Sequence, residues 1–185
     1  MKPAVIIVDM LNDAFTTHGI GMTPSVRSVI DNTNRLTKFA RNYSIPVIFA
    51  MDSFLRGDFI FQGKMKEHSI RGTDGAKVTE ELVQADTDIY LPKRRFSAFF
   101  KTDLDQTLRL YGIDTVAITG INTHWCVLTT VMDALSHDFT TYIIEDCCTS
   151  YKEEVHETIV NLFRKNPLYP IFQVMSSNEF TKKVL

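Results

Sequence analysis

The stretch TVAITGINTHWCVLTTVMDALSH, residues 115–137, decides the fold. It begins as a continuous apolar run, breaks at Gly120, and resumes with apolar residues at helical spacing, so it reads as a strand, a turn and a helix. A continuous run, as opposed to an alternating one, marks a strand covered on both faces, which is the situation in a parallel sheet. Five more runs share that character: AVIIVD (4–9), PVIFAMD (46–52), TDIYLP (87–92), TTYIIED (140–146) and YPIFQVM (169–175). Candidate helices alternate with them: SVRSVIDNTNRLTKFARNY (25–43), TDLDQTLRLYG (102–112), THWCVLTTVMDALSH (123–137) and KEEVHETIVNLFRK (152–165). Alternating strands and helices imply right-handed crossovers and an α/β fold, a three-layer α/β/α sandwich around a six-stranded, mostly parallel sheet. With no linker or repeat visible, residues 1–185 are expected to form a single domain. Ser53 to Thr87 breaks the alternation. It carries Gly57, Gly63, Gly72 and Gly75 and reads as a long excursion over the carboxyl edge of the sheet.

Composition narrows the function. A chain of 185 residues, 44% hydrophobic and 23% charged, is large enough to bury a continuous core. The formal charge of -2 is spread along the chain without a basic stripe, which argues against nucleic acid as a partner. No apolar stretch approaches the roughly 20 residues of a membrane span, so no membrane partner is expected. The opening MKPAVIIVDMLND reads as a buried strand, not as a signal peptide. Three cysteines, two of them the neighbours Cys147 and Cys148, fit reduced thiols in a cytoplasmic protein.

Ligands of open α/β sheets bind at the carboxyl ends of the strands, so polar residues there are the first candidates for chemistry. Asp9 ends the first strand, Lys93 follows TDIYLP, and Cys126 lies just past TVAITG in what reads as the first turn of a helix. A thiol attacks as the thiolate, and an ordinary pKa of about 8.5 leaves little of it at neutral pH without help from a helix N-terminus or an ammonium. A carboxylate beside it can take the thiol proton and pass it to a leaving amine, while a lysine balances the charge. Each residue also has a plainer reading: Cys126 as packing, Asp9 as a turn residue, Lys93 as a solvated charge.

Taken together, VIIVDMLNDAF (5–15), KRRFSAFFKTDL (93–104) and GINTHWCVLTT (120–130) resemble the isochorismatase-like cysteine hydrolases, which include nicotinamidases, N-carbamoylsarcosine amidase and isochorismatases. The resemblance implies that family's Rossmann-like hydrolase fold and a catalytic triad of Asp9, Lys93 and Cys126. It also implies a cis peptide between Ile121 and Asn122, with the backbone N–H groups of Asn122 and Cys126 forming an oxyanion hole. The implied activity is cleavage of a C–N bond in a small non-peptide amide or carbamoyl/ureido compound through a thioester. The alternatives are a nicotinamidase, an isochorismatase-type vinyl ether hydrolase, or a non-catalytic member acting as a binding protein. The family also suggests a homo-oligomer.

Nicotinamidases carry a metal site whose first ligand corresponds here to Asp52 and whose last corresponds to His68. The middle position is Phe54, which cannot coordinate, whereas a catalytic zinc ordinarily has three protein ligands. No cofactor is therefore expected, with zinc held by Asp52, His68 and a substitute ligand as the alternative, and the subgroup resembled in these positions is N-carbamoylsarcosine amidase. Phe15, Phe54, Phe99, Asn122 and Trp125 are the candidate pocket walls, by adjacency to the motifs. Arg94 and Arg95 either meet a substrate carboxylate or are surface charges.

Overall fold

The computed structural model describes residues 1–16 and 19–185. Among them, six strands form one wholly parallel sheet: β1 (Pro3–Val8), β2 (Val47–Asp52), β3 (Ile89–Lys93), β4 (Thr115–Gly120), β5 (Thr140–Cys148) and β6 (Phe172–Met175), in the spatial order β3-β2-β1-β4-β5-β6. The helices are α1 (Pro24–Asn42), α2 (Leu104–Leu110), α3 (Leu128–Ser136), α4 (Glu153–Arg164) and α5 (Ser177–Val184).

Successive strand residues point to opposite faces, and the core divides accordingly. Ala4, Ile6 and Val8 face a layer built on Leu104 and Leu108 of α2 and Val131 and Ala134 of α3, with Phe163 of α4 packed against it. Val5 and Ile7 face the other way, toward Val26, Val29, Ile30, Leu36 and Ala40 of α1 and Phe180 of α5. Both layers cover β1 and β4, which lie in the middle of the sheet. Their residues are buried throughout.

Local chemistry explains the helix boundaries. α1 starts where the Thr23 hydroxyl accepts the Val26 N–H at 3.3 Å, with Pro24 in the first helical position, where its missing N–H costs nothing. α5 extends past the last expected element. Ser176 and Glu179 cap each other's backbone N–H groups, and Phe180 is buried on the sheet, which stabilises by about 1.5–3 kcal/mol. The S-x-x-E spacing of Ser176 and Glu179 carried that signal in the sequence. The expected start of the second helix at Thr102 moves to Leu104, because the Thr102 hydroxyl turns back to the Ala98 carbonyl at 2.5 Å. Lys93 belongs to β3 itself instead of following it, and Cys147 and Cys148 are the buried last residues of β5.

The chain runs outward from β1 to β2 and β3, then returns to β4 on the other side of β1. A crevice opens between β1 and β4, where successive crossovers diverge. At its floor the two strands nearly touch. Gly120 has φ +108°, and a Cβ there would lie 2.1 Å from the Val8 carbonyl oxygen. Only glycine fits both the conformation and the space. Gly120→Ala is expected to lower the unfolding free energy by about 2 kcal/mol or more, measured by urea denaturation; a change below about 0.5 kcal/mol would contradict the close approach.

Candidate active site

Four adjacent strands deliver four ionisable or nucleophilic side chains to one point. Asp9 follows β1 directly, and its N–H donates to the Ala50 carbonyl at 2.9 Å, continuing the ladder with β2. Its Oδ1 accepts the Asp52 N–H at 2.8 Å and its Oδ2 accepts from Lys93 Nζ at 2.7 Å. Asp52 and Lys93 end β2 and β3 in register with one another. From there Lys93 Nζ also donates to Asp52 Oδ1 at 2.5 Å and to the Arg95 carbonyl at 3.1 Å. All three ammonium hydrogens are thus used. That saturation is what allows a lysine only 1% exposed to remain charged.

Cys126 lies in a wide helical turn, Thr123–Val127, between β4 and α3. Its sulfur and one carboxylate oxygen each from Asp9 and Asp52 lie within 4.8 Å of one another. The turn is held from β5 and from the α3 side. The Thr149 carbonyl accepts both the N–H and the hydroxyl of Thr123 at 2.9 Å, and that hydroxyl in turn faces His156 Nδ1 at 2.9 Å. The Thr130 hydroxyl donates to the Cys126 carbonyl at 2.7 Å while accepting the Ala98 N–H at 3.0 Å. The peptide between Ile121 and Asn122 is cis.

The charges explain the resting state. Burial, then the Asp9 carboxylate, push the Cys126 thiol well above the ordinary cysteine range, and Lys93 offsets this only in part. Cys126 is therefore a protonated thiol at neutral pH, so the turn N-terminus does not by itself supply the thiolate, as the sequence suggested it would. Burial works against the Lys93 ammonium, but Asp9, the Cys126 sulfur and Asp52 outweigh it and raise its pKa. For Asp52, burial and then the negative charge of Asp9 push the carboxyl up to about 8, with Lys93 acting against them. Two carboxylates around one ammonium carry excess negative charge, which a proton relieves.

A cavity of about 770 Å³ leads to this cluster. Phe54, Asn122 and Trp125 line it, Phe54 fully buried and Trp125 half exposed at the rim. Phe15 and Phe99 do not. Phe15 packs into the α1 side of the core, and Phe99 stacks on His137 at 5.0 Å under α3, because the backbone after β3 turns Phe96 toward the cavity in its place. Phe96 lies 5.1 Å from the Trp125 ring. The excursion of residues 53–87 supplies His68 and the segment before it to the rim. Asp13, Phe96 and Tyr151 also line the cavity and escaped the sequence reading. Asp13 sat inside a quoted motif, and its carboxylate accepts the Ser69 N–H at 2.7 Å, but Tyr151 reaches the site only because β5 lies beside β4.

Arg94 and Arg95 stay out of this cavity. Both pair with the buried carboxylate of Asp58, and they line a separate depression of about 300 Å³ with Arg71 and Lys101. The hydrogen bond from Arg94, then one from the Leu55 N–H, holds the Asp58 carboxyl down to about 2.

The zinc set implied by nicotinamidases does not fit. Asp52 is committed to Lys93, Phe54 offers no ligand, and His68 directs Nδ1 to the Lys66 carbonyl at 2.9 Å with its ring edge-on to Phe54 and Phe61. Among the described residues, the only trio with metal-like spacing is Asp9, Asp52 and Cys126, and both of its carboxylates already accept from the Lys93 ammonium.

The profile of the Isochorismatase domain matches residues 3–178, and the chain belongs to that family, whose fold and hydrolytic character it shares. Among solved structures, an isochorismatase-like hydrolase from Alkaliphilus metalliredigens superposes with a TM-score of 0.88 at 28% identity, covering 100% of both chains. N-carbamoylsarcosine amidase from Thermoplasma acidophilum gives 0.83 at 30% identity, covering 96% of this chain and 98% of that one. A protein described as a probable inactive nicotinamidase of Arabidopsis thaliana is 29% identical over 168 residues, 83% of each chain. No helix among the described residues is long and apolar enough to cross a membrane.

An acid whose pKa is raised on folding binds more protons folded than unfolded, so stability falls as pH rises between the two values. For Asp52 that window runs from the ordinary 3.8 to about 8. The wild type is expected to lose stability in urea titrations between about pH 5 and about pH 8, and Asp52→Asn to lose that part of the dependence. Parallel pH profiles for the two proteins would refute the assignment.

Proposed function

We propose that this protein is a cysteine amidohydrolase that cleaves the C–N bond of a small non-peptide amide or carbamoyl compound, with Cys126 as nucleophile, Asp9 as proton carrier and Lys93 as charge partner. The observation that carries the reading is the meeting of a cavity-lining thiol, a carboxylate and a saturated ammonium at neighbouring strand ends. Because the thiol rests protonated, attack requires a base at hand, and Asp9 is the carboxylate beside it. As the Cys126 sulfur bonds to the carbonyl carbon, its proton passes to Asp9 and the carbonyl π electrons move onto oxygen. The backbone N–H groups of Asn122 and Cys126 face that oxyanion and stabilise it. The intermediate collapses with loss of the C–N bond, Asp9 returns the proton to the departing nitrogen, and amine or ammonia leaves. Water then adds to the thioester while Asp9 takes one of its protons, the C–S bond breaks, and that proton restores the thiol as the acid departs.

Lys93 stays protonated throughout, since its surroundings raise its pKa. Its part is to balance the charge of Asp9 and aim its carboxylate. Asp52 positions Lys93 from the far side. The apolar walls Phe54, Phe96 and Trp125 suit a compact, planar acyl group more than an extended chain.

Activity is tested by ammonia release from nicotinamide, N-carbamoylsarcosine and maleamate. At least one is expected to turn over, with Cys126→Ala reducing kcat by about 10³-fold or more and Lys93→Met by about 10²-fold or more. Full activity in Cys126→Ala would end the scheme. Iodoacetamide is expected to label Cys126 ahead of Cys147 and Cys148, which lie outside the cavity, with a rate that keeps climbing with pH beyond the ordinary cysteine range because the resting thiol is protonated. Equal labelling of all three would count against an accessible nucleophile.

A further inference from the structure

A second concave site, apart from the cavity that holds Cys126, carries charge that the protein itself does not balance. Arg71, Arg94, Arg95 and Lys101 line a depression of about 300 Å³ together with the exposed ring of Phe100. Asp58 is the carboxylate that answers them, and its oxygens are spent. Oδ1 meets Arg94 and Arg95, while Oδ2 accepts from the Leu55 N–H at 2.8 Å and from Arg94 Nε at 3.3 Å. Arg71 turns Nε to the Ser53 hydroxyl at 2.9 Å, which leaves its charge unmatched. The Lys101 ammonium stands 5.4 Å from the centre of the Phe100 ring. Among the described residues neither Arg71 nor Lys101 forms an ion pair. Four cations thus face one carboxylate, and the surplus is local, since the formal charge of the whole chain is -2.

We infer that this depression binds a small phosphate ester carrying a planar ring, with the phosphate among the guanidinium and ammonium groups and the ring against Phe100. The charge favours a dianion. A single negative charge would leave most of the surplus standing, and a concave surface lined by one sign of charge concentrates the opposite ion. Guanidinium groups present their N–H hydrogens as a flat fork that matches two oxygens of a phosphate, and an ammonium adds a point charge. Phe100 is 48% exposed and Pro92 beside it is exposed as well, so a ligand ring can cover apolar surface that water now meets. The volume lies at the small end of the usual range for ligand pockets, about 300–1,000 Å³, which suits one ring and one phosphate better than an extended molecule. Arg95 gives its side chain to the depression and its carbonyl to Lys93 Nζ at 3.1 Å, so one residue ties this site to the buried ammonium. Binding here is independent of the amidohydrolase reading.

The test is calorimetric titration of the whole chain with inorganic phosphate, phenyl phosphate and benzoate, in about 0.15 M chloride so that loose surface attraction is screened. Phenyl phosphate is expected to bind once per chain, about threefold or more tighter than inorganic phosphate, and benzoate more weakly than phenyl phosphate. Phe100→Ala is expected to bring phenyl phosphate down to the level of inorganic phosphate. Arg71→Gln combined with Lys101→Gln is expected to weaken both phosphates about 10-fold or more. Both residues are exposed, and thermal melting checks that the variants fold. Lys101→Gln alone, which breaks no hydrogen bond, guards against misfolding of the double variant and is expected to weaken both phosphates in the same direction. No saturable binding of phenyl phosphate, binding unchanged by loss of the two cations, or equal affinity of the wild type for phosphate and phenyl phosphate would each overturn the inference.

Discussion

The ion cluster formed by Lys93 between Asp9 and Asp52 is the constraint on which the rest of the carboxyl edge depends. An ammonium this deeply buried is tolerable only if each hydrogen finds an acceptor, and it finds three: two carboxylates and the Arg95 carbonyl. Removing one partner would leave a buried charge uncompensated, a cost of about 3–5 kcal/mol in comparable cases. The cluster therefore locks the ends of β1, β2 and β3 together. It also accounts for the unsuitability of the site for zinc, since the place where a dication would draw on Asp52 is already served by a protein cation.

The second constraint is steric. The crevice exists because the chain reverses direction across the sheet between β1 and β4, and the two strands close tightly at its floor through Gly120. Cys126 emerges six residues beyond that contact, in a turn pinned by Thr149 on one side and Thr130 on the other. The thiol is thus presented by a turn that hydrogen bonds hold from Thr149, just past β5, and from Thr130 of α3, while Cys126 itself packs in the core.

Much of this was legible in the chain. The continuous runs of Val and Ile predicted buried parallel strands, and Asp9, Lys93 and Cys126 at or just past strand ends were the candidates for chemistry. The wall residues were not legible in the same way. Phe96 and Phe99 sit three positions apart in an irregular segment, where no periodicity says which faces the cavity, and the sequence favoured the wrong one. Asp52 corresponds to a ligand position of the nicotinamidase pattern, and its pairing with Lys93 was not legible, because Lys93 lies on the next strand and 41 residues away. The parallel register of β2 and β3 brings the two together, and register is set by the sheet, not by either strand alone.

The sequence by itself determined the alternation of strands and helices, the family, and the residue types available for acid-base and nucleophilic chemistry, because these depend on local periodicity and on identities at strand ends. Tertiary structure alone decided the state of those residues. Whether Cys126 rests as thiol or thiolate, and which charged partner Asp52 meets, both depend on desolvation and on charges brought from other strands. Those influences act across a few ångströms of space between groups that are distant in the chain, and so they arise only once the sheet has assembled.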